Sequence, residues 1–372
     1  MTSLMTEPEI VERVFAHIDG QATDLSEGPW REPVANYLSQ ARFEAEVQVM
    51  RRTPTPFCPS AAIPTPGAYL ARTAAQTPIL VVRGADGVAR AYRNACRHRG
   101  AEVACGMGRQ KSFACPYHGW TYGLDGALRG LPGEHGFPGL DKAAHGLRPL
   151  RTQERAGLVF VTQEPGPSTD AGLDEPPAMF PEGMAFLSAT ERDVAANWKI
   201  SAEGFLEGYH IRQTHRQSFY PLQYDNLNVV EAFGRNSRVT FPYQNIEKQR
   251  DFPPATRRAA GRSTFVYHLF PNVMIATLPK RVLMVVLEPV SPGVTRDVRY
   301  MLAEPEALAT SRARIDQAIA LDHEGAREDR EIVESIQRGL ASGANDAFEF
   351  GLFEGAIAHF HRNLHAAIGA AA

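Results

Sequence analysis

Two short motifs constrain this chain more than any other stretch: Cys96-Arg-His98-Arg-Gly100-Ala101 and, with sixteen residues intervening after His98, Cys115-Pro-Tyr-His118-Gly119-Trp. Thiolate sulfur and imidazole nitrogen are both metal donors, and two of each make a four-ligand set. The spacings Cys-x-His and Cys-x-x-His are tight enough for each pair to sit on one hairpin loop, so two loops can clamp a single object between them. Pro116, Gly100 and Gly119 keep the loops short and let backbone N–H groups approach the sulfurs.

A structural zinc site also takes two Cys and two His, but zinc fingers usually pair Cys with Cys and His with His. One of each per loop instead resembles the Rieske arrangement, in which two Cys hold one iron of a [2Fe–2S] cluster and two His hold the other. Rieske subunits of respiratory complexes carry an additional Cys in each loop. The corresponding positions here are Ala101 and Tyr117, so the resemblance is to the low-potential, soluble branch.

The rest of the chain has room for more than a cluster carrier. Its 372 residues suffice for two domains and a substantial core. The start, Met1-Thr-Ser-Leu-Met-Thr-Glu-Pro-Glu, lacks a basic segment followed by an apolar run, so no secretory signal is expected. Val282 to Leu287, the longest aliphatic run, is too short to span a bilayer, and a cytoplasmic location is the expectation. Outside the motifs stand Cys58 and Cys105, expected to be reduced thiols rather than a disulfide framework.

The net charge of −3 is unevenly spread: residues 41–162 hold sixteen Lys and Arg against eight Asp and Glu. A basic segment on an otherwise acidic chain suits steering of an acidic electron donor or docking of one subunit on another. A solvated surface with no partner accounts for it equally well. No basic run interleaved with aromatics points to nucleic acid.

Along the chain, Thr6-Glu-Pro8-Glu9 has a capping-box pattern, and Ile10, Val14 and Ile18 follow on one helical face beside Val11 and Phe15. A second helix is expected from about Glu32 to Met50. Residues 51–66, with five prolines, read as an extended crossing. Ile79 to Tyr92 carries a hairpin signal with its turn at Asp86-Gly87. Trp120-Thr-Tyr122 leads to another turn at Asp125-Gly126, and Leu158 to Val161 reads as a buried strand. Gln163 to Pro177, rich in Pro, Gly and Asp, marks a domain boundary.

A second constellation follows in Asn197-Trp198-Lys199-Ile-Ser-Ala-Glu-Gly-Phe-Leu-Glu207-Gly-Tyr-His210-Ile-Arg-Gln-Thr-His215. Two His five residues apart lie about 140° apart on an ideal helix, so they meet at one metal only if the helix bulges or ends between them. Glu306 to Leu340 then reads as one long helix, or two broken near Gly325. Its inward row is Ile315, Ile319, Asp322, Ala326, Asp329, Val333, Ile336 and Leu340. Two carboxylates stand where that row demands apolar groups, and a buried carboxylate needs a partner, a proton or a metal. Either Asp with His210 and His215 makes a two-His, one-carboxylate triad suited to non-haem Fe(II); pairing of both Asp with arginines is the alternative. Glu331 should face away. Strand-like runs at 228–233, 238–243, 264–270, 273–278, 282–288 and 297–302 predict an antiparallel sheet under that helix. Phe205, Tyr267 and Phe270 are expected in the core rather than lining a pocket.

Across nearly its whole length the chain is similar to the catalytic α-subunits of Rieske non-haem iron oxygenases, the ring-hydroxylating dioxygenases and related monooxygenases. The resemblance rests on Cys96/His98/Cys115/His118, on Asn197-Trp198-Lys199 leading to Tyr209-His210 and His215, and on Glu328-Asp329 before Val333-Glu-Ser-Ile-Gln337. It implies an α+β fold: a small all-β [2Fe–2S] domain plus a helix-grip catalytic domain, an antiparallel sheet covered by helices. The implied division is N-terminal helices over 1–44 packing on the catalytic domain, the cluster domain over 45–162 and the catalytic domain over 163–372.

The implied ligands are Cys96, His98, Cys115 and His118 for the cluster, and His210, His215 and Asp329 for a mononuclear Fe(II), Asp329 being preferred to Asp322. Glu207 stands at the family's bridging position between a cluster His of one subunit and His210 of the next, where Asp is more usual. Some members acting on quaternary ammonium compounds share the Glu, which sits poorly with simple arene dihydroxylation.

The implied activity is that of a terminal mono- or dioxygenase hydroxylating a small organic substrate with O₂, as in aromatic hydrocarbon catabolism, or alternatively a quaternary ammonium or methylated amine. Electrons would come from a separate reductase or ferredoxin, with NAD(P)H used only through that partner, because the chain lacks a Gly-rich dinucleotide fingerprint. A cyclic homotrimer joined head to tail is implied as well. A Rieske electron carrier or redox sensor without oxygenase activity is the reading from another class.

Overall fold

The computed structural model describes residues 4–168, 171–181 and 183–370. The chain divides into two compact units, Arg51–Ser168 and the remainder, Met1–Met50 with Thr169–Ala372.

The larger unit begins with helix α1, Glu7–Gly20. The Glu9 carboxylate accepts from the Thr6 N–H at 2.7 Å and from its hydroxyl at 2.8 Å, which holds the first turn closed. Ile10, Val11, Val14 and Phe15 are buried along one face.

The single helix expected from Glu32 is not formed. Trp30–Pro33 is a strand paired antiparallel with Ala347–Phe350, followed by a short α2, Ala35–Leu38, and then α3, Gln40–Arg52. Ser39 separates the two in extended backbone, and its hydroxyl accepts from the Arg42 N–H at 3.2 Å. That is the geometry of an N-cap, which starts a new helix instead of prolonging the old one.

Seven antiparallel strands form the sheet, in the order Ala185–Val194, Val294–Ala303, Arg281–Ser291, Val273–Leu278, Ser263–Leu269, Asn236–Pro242, Val229–Phe233. Six match the expected runs; the edge strand Ala185–Val194 is half-buried or exposed at every residue but Val194 and gives little apolar signal. Two short helices, α4 (Trp198–Glu203) and α5 (Ile211–Thr214), precede the sheet's second strand in the chain.

Asn197 caps α4 by accepting from the Lys199 N–H at 3.0 Å and anchors it by donating to the carbonyls of Tyr37 (2.9 Å) and Pro292 (2.8 Å). Trp198 Nε1 and Lys199 Nζ both donate to buried Glu46, at 2.8 and 2.9 Å. Asn-Trp-Lys therefore positions the segment that follows.

After the sheet come α6, Pro305–Thr310, and α7, Arg312–Leu340. The break falls at Ser311, and α7 runs unbroken through Gly325, which leaves aside the alternative of a break there. A Cβ on Gly325 would lie 2.2 Å from Cζ of Phe219, so the glycine admits an aromatic ring rather than ending the helix. Ile336, expected to face inward, is 37% exposed. A last helix, α8 (Gly355–Gly369), packs on the strands at 229–233 and 236–242 and buries Ile357, Phe360, His361 and Leu364.

The smaller unit holds a seven-stranded antiparallel sheet, ordered Thr55–Pro59, Leu158–Thr162, Pro149–Arg155, Ala89–Arg93, Thr77–Arg83, Ala68–Ala74, Gly106–Arg109. A three-stranded sheet, Ser112–Ala114, Thr121–Gly123 and Leu128–Gly130, lies in the same unit. The Asp86-Gly87 turn forms as expected, with Gly87 at φ +80° and the Asp86 carboxylate accepting from the Val88 N–H at 3.1 Å. Leu80, Val82, Tyr92, Phe113, Trp120 and Tyr122 pack into one core together with Cys96 and Cys115. Burial pushes the Cys58 thiol up to about 12, which keeps it protonated and inert; Cys105 is exposed.

Candidate functional site

The two Cys-His loops have the same internal closure. In the first, the Gly100 N–H donates to the Cys96 carbonyl at 2.9 Å and the Cys96 N–H to Ala101 at 2.8 Å; in the second, Gly119 to Cys115 at 3.0 Å and Cys115 to Trp120 at 2.8 Å. Each turn needs a residue in the left-handed region, met by Gly100 at φ +84° and Gly119 at φ +74°. Cys96 and Cys115 are each 4% exposed, whereas His118 lies at the surface and His98 is half-buried. The Nδ1 atoms of His98 and His118 are 3.1 Å apart, the separation of two ligands of one ion with bonds of about 2.0–2.1 Å. His98 stacks on Trp120 with ring centroids 5.0 Å apart.

One tetrahedral metal would bring all four donors to within about 4 Å of one another, given bonds of about 2.0–2.3 Å. Among the described residues, no three of these four have ligand atoms all within 4.8 Å of one another. The donor set therefore fits an object longer than a single ion, with sulfur at its buried end and imidazole at its exposed end, as a [2Fe–2S] cluster requires.

Tyr122 is a participant that motif reading missed. Its hydroxyl accepts from the Arg97 N–H at 2.9 Å and lies 3.2 Å from Cys96 Sγ. With Arg97 as donor, the Tyr122 proton is left to point at the sulfur, and burial together with Cys96 raises its pKa. A hydrogen bond to a cluster sulfur stabilises the reduced state. Tyr122→Phe should thus lower the cluster potential by roughly 40 mV, equivalent to about 1 kcal/mol in a one-electron couple, with the cluster retained; a spectroscopic redox titration measures it.

In the larger unit, α5 is a single turn with His210 at its N-cap and His215 at its C-cap. The helix ends where the second imidazole is needed, so the rings converge to 5.2 Å between centroids despite their unfavourable helical spacing. Asp329 reaches them from α7: its Oδ1 is 2.9 Å from His215 Nε2 and 3.7 Å from His210 Nε2. One ligand atom from each residue falls within 4.8 Å of the other two.

A carboxylate stands behind each imidazole. Glu207 accepts from His210 Nδ1 in a short contact and from the His210 N–H at 3.1 Å. Glu328 lies 2.8 Å from His215 Nδ1 and accepts from the Ser218 hydroxyl at 2.6 Å. Both rings are thereby held with Nδ1 protonated and the Nε2 lone pair turned toward Asp329, the usual outer arrangement of metal-binding His. Burial opposes charging of His210, but the carboxylates of Glu207 and Asp329 outweigh it and raise its pKa. The donor set fits a ferrous ion with open positions. Glu328, adjacent to Asp329, was visible in the sequence only as part of a pair; its service to His215 was not.

Asp322 has a different use. Both its oxygens accept from Arg281, at 2.8 Å each, and the pair is buried. Glu331 pairs with Arg327 on the exposed side of α7. Asp322→Ala would strand a buried guanidinium, with an expected loss of about 3–5 kcal/mol in chemical denaturation and unchanged iron content.

Two cavities, of about 650 and 830 Å³, meet at Phe205, Glu207, His210 and Asp329. The smaller is lined over the sheet by Phe219, Phe241, Tyr243, Val266 and Leu283. Tyr267 and Phe270 are core residues, 5% and 1% exposed, whereas Phe205 lines both cavities, a correction to its expected place in the core. The larger cavity carries six carboxyls besides Asp329, Glu203, Glu207 and Glu354 among them. Burial, and then the charges of Glu207 and Glu203, push Glu354 up to about 7.

No helix among the described residues is long and apolar enough to cross a membrane. The Rieske [2Fe-2S] domain model matches residues 53–142 and the model of the ring hydroxylating alpha subunit (catalytic domain) matches 181–370. By sequence the chain is 26% identical to chloroplastic choline monooxygenase of Beta vulgaris, covering 80% of this chain and 68% of that protein. It is also 26% identical to the carnitine monooxygenase oxygenase subunit of Escherichia coli (strain K12), covering 90% and 93%. In structure it resembles the quaternary ammonium Rieske monooxygenase CntA in complex with L-carnitine, with a TM-score of 0.76, 22% identity, and 92% and 96% of the two chains covered. Naphthalene 1,2-dioxygenase from Rhodococcus sp. follows at 0.74 and 19%, covering 97% and 98%. The chain belongs to the ring-hydroxylating α-subunits, the terminal oxygenase components of Rieske non-haem iron oxygenases, which combine a [2Fe–2S] cluster with a mononuclear iron and receive electrons from a reductase or ferredoxin.

Proposed function

We propose that this oxygenase subunit hydroxylates a quaternary ammonium or methylated amine substrate. The observation that carries the reading is the chemistry of the smaller cavity beside the triad. Phe205, Phe219, Phe241 and Tyr243 line it, and aromatic rings attract a methylated ammonium group. The two arginines on its wall are already neutralised, Arg281 by Asp322 and Arg299 by Asp297 at 2.7 Å. A cationic substrate therefore meets rings and carboxylates, whereas an anionic one would have to displace an internal ion pair. Relatives named for choline and carnitine support the same class. They lend no support to aromatic hydrocarbon catabolism, since the naphthalene enzyme, at 19% identity, shares the fold alone.

Cys96 and Cys115 would hold one iron of the cluster, His98 and His118 the other, and His210, His215 and Asp329 the mononuclear iron. When bound, the cluster supplies electrons one at a time and the mononuclear iron activates O₂. Glu207 and Glu328 fix the imidazole tautomers, Phe205 and the apolar wall exclude water, and Tyr122 tunes the sulfur of Cys96. We infer a head-to-tail homotrimer in which His118 of one subunit faces Glu207 of the next. The cluster's imidazole edge is its exposed edge, as such docking needs, and a solved relative is described in terms of inter-subunit electron transfer.

Oxygen uptake with a surrogate reductase should rise with choline, glycine betaine or carnitine and stay at background with benzoate and naphthalene. The opposite ranking would overturn the substrate class.

A further inference from the structure

A second series of ionisable side chains leads away from the larger cavity, and nothing described so far uses it. Glu203, on that cavity's wall with Glu207 and Asp329, accepts from the Tyr37 hydroxyl at 2.7 Å and from His361 Nε2 at 2.8 Å. His361, on α8, is fully buried. Its Nδ1 has no hydrogen-bond partner among the described residues and faces Glu32 Oε2 at 3.5 Å. Glu32, also fully buried, lies 2.9 and 3.1 Å from His365 Nε2, and the His365 side chain is 35% exposed. Trp30 Nε1 and Asn36 Nδ2 complete the surroundings of Glu32, at 3.0 and 2.7 Å. Carboxylate, imidazole, carboxylate and imidazole thus alternate from the cavity to solvent.

Two simpler uses fit less well. As packing, the arrangement leaves a buried imidazole nitrogen unsatisfied beside two buried carboxylates, which a core made for stability avoids. As a metal site, Glu32, His361 and His365 do bring three donor atoms within 4.8 Å of one another. Arg42 Nη1, however, lies 3.2 Å from His365 Nδ1. A guanidinium only donates, so Nδ1 is the bare nitrogen and the ring's proton sits on Nε2, aimed at Glu32. That proton occupies the position a metal would take.

We propose that His365, Glu32, His361 and Glu203 form a relay that carries protons from solvent into the oxygenase cavity. Hydroxylation supplies the demand: the substrate C–H bond and O₂, with two electrons from the donor and two protons, give a C–OH group and one water. His365 takes a proton from solvent at Nδ1 as Arg42 releases that nitrogen, and gives up its Nε2 proton to Glu32; Glu32 protonates Nδ1 of His361, and the proton on Nε2 of that ring passes to Glu203. The proposal rests on the oxygenase activity but not on the identity of the substrate.

The test uses the intact, metal-loaded protein with a surrogate reductase, following oxygen consumption in H₂O and D₂O with whichever of choline, glycine betaine or carnitine the wild type turns over. His361→Gln keeps an N–H donor for Glu203 but cannot take up and release a proton. Turnover should fall about tenfold or more, with a larger solvent isotope effect and unchanged KM and metal content. His365→Asn, at the exposed end where folding is not at stake, should shift the same readouts several-fold. Rates and isotope effects within twofold of wild type in both variants would overturn the relay. So would a wild-type metal beyond the irons of the cluster and triad that is lost in His361→Gln. If the wild type turns over none of the three compounds, the substrate class fails, while substrate-free reduction of O₂ to hydrogen peroxide, which takes up the same two protons, still reads the relay.

Discussion

Asp329→Ala should abolish oxygenation while leaving the visible spectrum of the cluster unchanged. Asp329 supplies the carboxylate of the triad, with Oδ1 2.9 Å from His215 Nε2 and 3.7 Å from His210 Nε2, and two imidazoles alone are a poor site for a ferrous ion. The nearest rival on the same helix cannot substitute, because Asp322 is committed to Arg281 through two 2.8 Å bonds. Turnover should fall by at least about 10³, the mononuclear iron being the centre that carries the chemistry. Metal analysis with an activity assay checks it: a variant that keeps all its iron, or its activity, rules Asp329 out as a ligand.

The second large effect is expected at Glu207. Its carboxylate holds His210 through Nδ1 and the backbone N–H together, and in the proposed trimer it also receives His118 of the adjacent subunit. Glu207→Gln preserves size but removes the charge and one acceptor. Outer-sphere changes of this kind cost about 10–100-fold, here expected as slower reoxidation of the reduced cluster in a single turnover, with both metals still bound. Reduction of the cluster by its donor should not change. Equal slowing of both half-reactions, or loss of iron, would place Glu207 in a different role.

Legibility in the sequence followed the range of the interactions. The cluster loops were readable because each is closed within six residues by its own backbone, with glycine where φ is positive. His210 and His215 were ambiguous, because five-residue spacing points apart on a helix; only the folded chain reveals that α5 stops after one turn. Two acids on the inward row of α7 were visible and the resemblance picked Asp329, but the physical reason that excludes Asp322, the Arg281 across from it, is not written in the spacing.

Tyr122, Glu328 and the Glu203–His361–Glu32 series went unread as functional groups. Each acts on a residue far along the chain without being a ligand, and no spacing rule reports that. The helix expected across Ser39 failed, and the choice at Gly325 between one helix and two stayed open, for one reason: Ser39 caps and Gly325 makes room for Phe219, and both roles depend on contacts that composition does not show.

The most direct measurement is the iron and acid-labile sulfide content of the anaerobically purified wild-type protein. Three irons and two sulfides per chain are expected, two of the irons with the sulfides in the cluster and one at His210, His215 and Asp329. Two irons and two sulfides, with no gain on adding ferrous ion, would contradict the second metal centre and leave only an electron carrier.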